Sequence, residues 1–371
     1  MPGPADEGAG PRVGVDLACL AHPASPGVRR AALELWRALA GLDAAPDARA
    51  PRFVPLAATR GGSPRRWRQV TLPRLSRALR LDGLHATVSA LPLAARTPLL
   101  PNLRIVQTVH EVPWRTGEHA ENADRRHRAW ARTTRADATI VPSAATARAL
   151  AAERGSDAGI HRVPWGVGAP FTTIERSDDS RDGPRDGAPV LVVVGGTRPK
   201  KRLDRALLAL AACERARDHA LVVTGPTGAP ERAHLERCVD LARRLGVGER
   251  LRFVGAVGDA RLARLLATSD AHLVVSASEG FGLGALEAAA TGTPSVVQAG
   301  GAAHEAAGAL GASDTVATFT DGDDAAGVAR AIDAALAFDA DARDALRTAA
   351  RACTWTRTAE RVARLWCTLT P

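Results

Sequence analysis

Two glutamates frame a glycine-rich run in SEGFGLGALEAAATGTPSV, residues 278–296. Glu279 stands before the run and Glu287 lies beyond it among alanines. The preceding AHLVVSA reads as a short buried strand, and LGALEAAATG reads as a helix closed by Gly292. In such a junction the glycines Gly280 and Gly282, with Phe281 and Leu283 beside them, let the backbone come close to a ligand. The helix start then offers free amides and a partial positive charge, which suit a phosphate. Glu287, about one turn into the helix, can accept hydrogen bonds from two neighbouring hydroxyls such as those of a ribose, and Glu279 can meet the sugar end of a ligand. The pair would span a polyhydroxylated phosphate ester. The competing reading is a loop-to-helix junction with two surface glutamates.

Cations suited to that ester follow another strand. VLVVVGG runs into TRPKKR, which carries Arg198, Lys200 and Lys201. Basic residues at a helix start oppose its dipole, so a nearby anion explains them better than solvent does. The whole chain is basic, with a formal charge of +9. From Arg60 to Arg80, RGGSPRRWRQVTLPRLSRALR holds seven arginines and no acid. It reads as a solvated helix face, or as a surface for anionic lipid with Trp67 and the leucines as shallow anchors.

The elements that must position these groups repeat in two halves of a 371-residue chain. VGVDLACLA and PVLVVVGG each open a series of strand-like runs alternating with amphipathic helices, the pattern of parallel sheets covered on both faces. Ligands of such sheets sit beyond the carboxyl ends of the strands, which singles out His110, Gly166, Gly195, Gly225 and the 278–287 run. The expected division is 12–171, a polar linker over 172–188, 189–353, and an amphipathic last helix over 354–371. No apolar run approaches the roughly 20 residues of a spanning helix, and the N-terminus lacks a signal-peptide pattern. Five scattered cysteines without a C-x-x-C favour reduced thiols in a cytoplasm. No D-x-D follows any of the strand-like runs recognised in the sequence, no His/Cys cluster has ligand spacing, and no G-x-G-x-x-G follows the first strand, so neither a metal nor a nicotinamide is expected.

The run EGFGLGALEAAATGTPSV resembles the E-x7-E motif of retaining glycosyltransferases of the GT-B fold, the family four or group 1 enzymes. Other segments are similar to the same family in the same order: PGVRRAALELWRAL, LDGLHATVSALPL, VQTVHEVPW, ATIVPSAATARAL and VVVGGTRPKKRLDRALLAL, the last like its mannosyltransferase-like members. The resemblance implies an α/β chain of two facing Rossmann-like domains, with the final helix crossing back to the first. It implies sugar transfer from a nucleotide-diphosphate sugar with retention, without a metal. His110, Lys201 and Glu279 would be the catalytic residues. Gly27, Gly196, Arg198, Lys200, Lys201, Gly280, Phe281, Gly282, Leu283 and Glu287 would bind the donor, for which a GDP-mannose-like compound is weakly favoured. The partners would be a nucleotide sugar and a glycan or lipid-linked acceptor, with peripheral contact to anionic membrane through 60–80 and no nucleic acid. The chain departs from the family pattern at Arg29, Glu111, Trp165, Gly168 and Gly284, which stand where Gly, Asp, Asn, Asp and Pro are usual. Alternatives are a sugar phosphorylase or epimerase of the same fold, or a non-catalytic basic scaffold for membrane or nucleic acid.

Overall fold

The computed structural model describes residues 10–22, 24–42, 50–92, 102–112, 128–132, 136–174, 189–308 and 316–370. Most of the polar 172–188 segment lies outside them. The chain forms two compact units. One contains the first half up to Gly166 and resumes at Thr354, and the other runs from Val167 to Cys353. The passage between them thus falls ahead of residue 171.

The first unit is built on a parallel sheet of β1 (Arg12–Asp16), β2 (Arg52–Leu56), β3 (Gly83–Ala86), β4 (Arg104–Thr108), β5 (Ala138–Val141) and β6 (Ile160–Arg162), in the order β2-β1-β3-β4-β5-β6. β3 and β5 are buried at every position, as strands covered on both faces must be. Helices α1 (Pro26–Leu42), α2 (Leu72–Ala78) and α3 (Ala144–Arg154) belong to this unit. Ser143 caps α3, its hydroxyl accepting the Thr146 amide at 3.0 Å.

The second unit repeats the scheme with β7 (Val190–Val193), β8 (Ala220–Thr224), β9 (Leu251–Gly255), β10 (Ala271–Val274), β11 (Ser295–Gln298) and β12 (Ala317–Phe319), all parallel, in the order β12-β11-β10-β7-β8-β9. Its helices are α4 (Leu203–Ala212), α5 (Ala229–Arg244), α6 (Asp259–Ala267), α7 (Leu283–Ala290), α8 (Ala302–Gly308), α9 (Ala325–Leu336) and α10 (Ala340–Arg351). Leu203, Leu207 and Leu210 of α4 pack with Leu191, Leu221, Leu273 and Ile332 in one continuous core. In both units the strand order reverses beside the first strand. The switch points lie between β1 and β3 and between β7 and β10, which is where ligands of open parallel sheets bind.

The last helix, α11 (Trp355–Leu369), buries Trp355, Thr358, Ala359, Val362, Leu365 and Trp366, one stripe at a spacing of three and four, and packs along α1 in the first unit. Two glycines make room for it. A Cβ on Gly83 would enter the Trp366 ring, and one on Gly166 would meet the backbone of Thr354 and Trp355. Gly166 is therefore explained by packing, although its place after a strand singled it out as functional.

The 60–80 stretch corrects one expectation. It forms Pro64–Arg66, a π-helical turn Trp67–Thr71, and α2. Trp67 is 8% exposed and Leu72 fully buried, so neither is a shallow membrane anchor. Six of the seven arginines remain exposed, while Arg68 is half-buried, near Asp16 and 5.9 Å from the centre of the Trp130 ring.

Because the Gly166 clash is with backbone rather than with a flexible side chain, Gly166→Ala should destabilise the protein by about 1–3 kcal/mol, read by chemical denaturation. An unchanged midpoint would show that the 354–355 backbone yields.

Candidate active site

The second unit's switch point is where the sequence-derived groups meet. β7 ends at Val193, and its loop leads into a short 3-10 turn, Pro199–Lys201, before α4. β10 ends at Val274, and its loop leads through Glu279 to α7. Since β7 and β10 are neighbours, residues far apart in the chain come together. The Lys201 Nζ donates to Glu279 Oε1 at 2.5 Å, and the Ser276 hydroxyl donates to the same oxygen at 2.6 Å. The two loops are also joined through backbone, the Ala277 amide donating to the Lys200 carbonyl at 3.0 Å.

Burial alone would push the Glu279 carboxyl up, but the charges of Lys201 and Lys200 and the two hydrogen bonds outweigh it and hold it below its ordinary value. Both side chains keep some contact with solvent, 22% for Lys201 and 17% for Glu279. A ligand can therefore compete for the ammonium.

The glycines of the loop divide by cause. Gly282 sits at the N-cap of α7 with φ +92°, and a Cβ there would lie 2.6 Å from Ala303 Cα. Only glycine fits both conditions. No side chain caps α7; the Ala285 amide already donates to the Gly282 carbonyl at 2.9 Å, which leaves the Leu283 and Gly284 amides of the first turn for an anion. Gly196 has a different reason: a Cβ would strike Val193 Cγ1 at 2.6 Å and Val223 Cγ1 at 2.9 Å. Gly225 likewise makes room for Thr197, whose buried hydroxyl has no partner among the described residues. Phe281 is buried, and Glu287 is 3% exposed on the second turn of α7. Arg198 precedes the 3-10 turn and is half-buried.

Arg202 and Arg205, which the sequence reading did not separate from the other cations, have structural tasks. Arg202 binds Asp204 and Asp323, and Arg205 binds Asp323 and the Val275 carbonyl, pinning the start of α4.

Sequence reasoning also missed His272 on β10. Its Nδ1 lies 3.1 Å from the Ser295 hydroxyl, and its Cε1 would be 3.3 Å from a Cβ on Gly284. The imidazole thus occupies the space a larger residue at 284 would need. Burial, reinforced by Lys201, pushes its pKa down to about 3.

His110 and Gly27 lie in the first unit. His110 follows β4, and its Nε2 donates to the Thr87 carbonyl at 2.8 Å, so that nitrogen carries a hydrogen. Thr87 in turn donates its hydroxyl to the Asp16 carbonyl at 2.6 Å. Asp16, buried at the end of β1, accepts from the Ala18 amide and from Trp67 Nε1, both at 3.0 Å. Burial raises its pKa against those bonds. His85 on β3 holds the Thr108 hydroxyl at 2.9 Å, and burial pushes its pKa down to about 4. Gly27 is on α1, where a Cβ would meet nothing within 4 Å, so packing does not require glycine. Arg29 donates to the Leu20 carbonyl. Among the described residues no group of three or more His, Cys, Asp or Glu side chains could hold a metal ion, and no helix is long and apolar enough to cross a membrane.

His85 and His272 give stability a definite pH dependence. Their folded pKa values lie below the ordinary 6.5, so the unfolded chain takes up the protons first. The stabilisation is complete above about pH 6.5 and should fall on acidification toward pH 4 by up to about 1.4 kcal/mol per pH unit for each histidine. Denaturation curves across that range should be steeper in pH for the wild type than for His85→Gln/His272→Gln. Equal slopes would show that neither ring is held neutral.

The chain is similar to known proteins in both halves. Residues 175–352 match the family described as Glycosyl transferases group 1, and residues 11–169 match Glycosyltransferase Family 4. D-inositol 3-phosphate glycosyltransferase 2 of Catenulispora acidiphila is 44% identical over 161 residues, 41% of this chain and 36% of that protein. The GDP-mannose-dependent alpha-(1-6)-phosphatidylinositol dimannoside mannosyltransferase of Mycobacterium tuberculosis is 40% identical over 110 residues, 29% of this chain and 26% of that one. The chain spans about a third of the length of the first curated relatives it matches. Among solved structures, Anabaena HepE in complex with UDP-glucose superposes with a TM-score of 0.72 at 17% identity, over 96% of this chain and all of that one (100%). With two six-stranded parallel sheets and both halves matched, the chain belongs to the family 4, group 1 glycosyltransferases of the GT-B fold.

Proposed function

We propose that this protein transfers a hexose from a nucleotide-diphosphate sugar to a hydroxyl of a glycan or lipid-linked acceptor, with retention at the anomeric carbon and without a metal. The observation that carries the reading is the Lys201–Glu279 pair beside the uncapped start of α7 at a sheet switch point. A diphosphate seated against those amides would take up the Lys201 ammonium that Glu279 holds in place. The bond from the anomeric carbon to the diphosphate oxygen breaks, and a bond to the acceptor oxygen forms on the same face. The acceptor's proton leaves with the diphosphate. Charge grows on the departing diphosphate, so Lys200, Lys201 and the amides stabilise the transition state more than the bound donor. Glu279 would contact the hexose, Glu287 the ribose and His110 the sugar, with Gly280, Phe281, Gly282 and Leu283 as the loop that receives the phosphates. Arg198 adds a further cation. Gly196 and Gly27 would contribute through backbone.

The TRPKKR segment and the GDP-mannose-dependent relative support a GDP-mannose-like donor. The six exposed arginines of the 60–80 stretch support electrostatic contact with an anionic membrane face, at about 1 kcal/mol per residue near the surface.

Thermal shifts with GDP, UDP, ADP and their sugar conjugates test the donor site. One nucleotide at a hundredfold excess over its Kd should stabilise the wild type by about 2.7 kcal/mol. That gain should vanish in Glu287→Ala and shrink in Lys201→Ala. No shift with any nucleotide would remove the donor reading. The anomeric configuration of the product, read by proton NMR, decides retention, and activity in EDTA decides metal independence. Replacing Arg60, Arg65, Arg66, Arg74, Arg77 and Arg80 by Gln should weaken binding to phosphatidylglycerol vesicles; unchanged binding would sink the membrane contact.

A further inference from the structure

Trp165 follows β6 in the first unit, and the structure gives its ring a specific setting. Trp165 is 3% exposed. Its ring lies 5.8 Å from the His110 imidazole, tilted by 50°, and 6.0 Å from Trp355, nearly parallel at 25°. Both separations are those of favourable aromatic pairs.

The backbone around Trp165 is fixed on both sides. The Thr358 hydroxyl donates to the Pro164 carbonyl at 2.8 Å. Gly166 has no room for a Cβ against Thr354 and Trp355. Trp355 is itself buried at the start of α11, which Thr354 caps by accepting the Arg357 amide at 3.3 Å. Trp165 is thus seated on a rigid base made of the segment after β6 and the first turn of the last helix, all within the first unit.

Among the contacts that hold His110, the Thr87 carbonyl accepts a hydrogen bond from its Nε2, and Trp165 stands beside the ring. An aromatic ring packed beside an imidazole restricts its rotation about such a bond. We propose that Trp165 is a positioning residue for His110: backed by Trp355, it fixes the orientation in which the imidazole meets the donor sugar. This rests on the reading of His110 as a sugar-facing group.

The test uses the full chain labelled with ¹⁵N-histidine, with the His110 signals identified by their loss in His110→Gln. In the wild type the Nε2 proton should exchange slowly with water. Trp165→Phe, which keeps an aromatic ring, should preserve that protection. Trp165→Leu, which keeps apolar bulk, should speed exchange about tenfold or more, while denaturation shows it folded. Should Trp165→Leu fail to fold, Trp355→Leu, which removes only the backing ring, should produce the same loss in smaller measure. Unchanged protection in the folded Leu variants would overturn the proposal.

Kinetics supply the second arm, as nucleotide release from GDP-mannose and from UDP-glucose. Trp165→Leu should lower kcat about tenfold with KM little changed, and adding Trp165→Leu to His110→Ala should cost nothing further. Additive losses would show that Trp165 acts elsewhere and overturn the proposal. Full activity in His110→Ala would instead sink the sugar-facing reading and the positioning role with it, whatever the exchange rates show. If the wild type releases neither nucleotide, the donor reading fails, and the exchange measurement alone decides whether Trp165 holds the ring.

Discussion

The ion pair between Lys201 and Glu279 is the constraint on which the second unit's site depends. Its members are far apart in sequence, and the sheet order alone makes them neighbours, since β7 and β10 lie side by side at the switch point. A lysine on a loop would ordinarily wander among rotamers. Here a carboxylate, itself fixed by Ser276, holds the ammonium in one direction. A deeply buried pair would cost desolvation that the attraction hardly offsets. This pair is only partly buried, so it costs less and leaves the ammonium open to a second anion. The value of the contact lies in aim more than in stability.

Around that pair the glycines have two separate functions. Gly282 opens α7 with a positive φ, lets α8 approach, and accepts the Ala285 amide on its own carbonyl, with no side chain capping the helix start. Gly196 and Gly225 serve the packing beneath, one against Val193 and Val223, the other against Thr197. The loops can stay close to a ligand because the layer under them is tight.

Much of the fold and part of the site were legible in the sequence, and the difference is one of range. Glu279, the loop glycines and the α7 helix form one local pattern, and Lys201 follows a strand that alternates with no polar residue. The parallel α/β organisation follows from strands and helices that alternate in both halves. β2 escaped notice because Pro55 and Arg52 break up RFVPL, and β12 because it is three residues long. Trp67 misled because a tryptophan among arginines reads as amphipathic surface; only its bond to Asp16, from the end of another strand, reveals a core residue. His272 was invisible for the same reason, and His85 stood out only as part of the family-like segment LDGLHATVSALPL, without its partner. Each sits in an apolar run, and the hydroxyl that justifies it belongs to the next strand.

Those two histidines show that the halves share more than topology. In each sheet the strand across the switch point carries one fully enclosed imidazole: His85 on β3, bonded to Thr108 of β4, and His272 on β10, bonded to Ser295 of β11. Burial keeps both neutral at physiological pH. A cation at either place would compete with the charges in the loops above, and an apolar side chain would leave the neighbouring hydroxyl unsatisfied. A neutral imidazole avoids both costs. It puts a polar group without formal charge beside each switch point, and in the second unit the charges acting on Glu279 are those of Lys201 and Lys200 in the loops above the sheet.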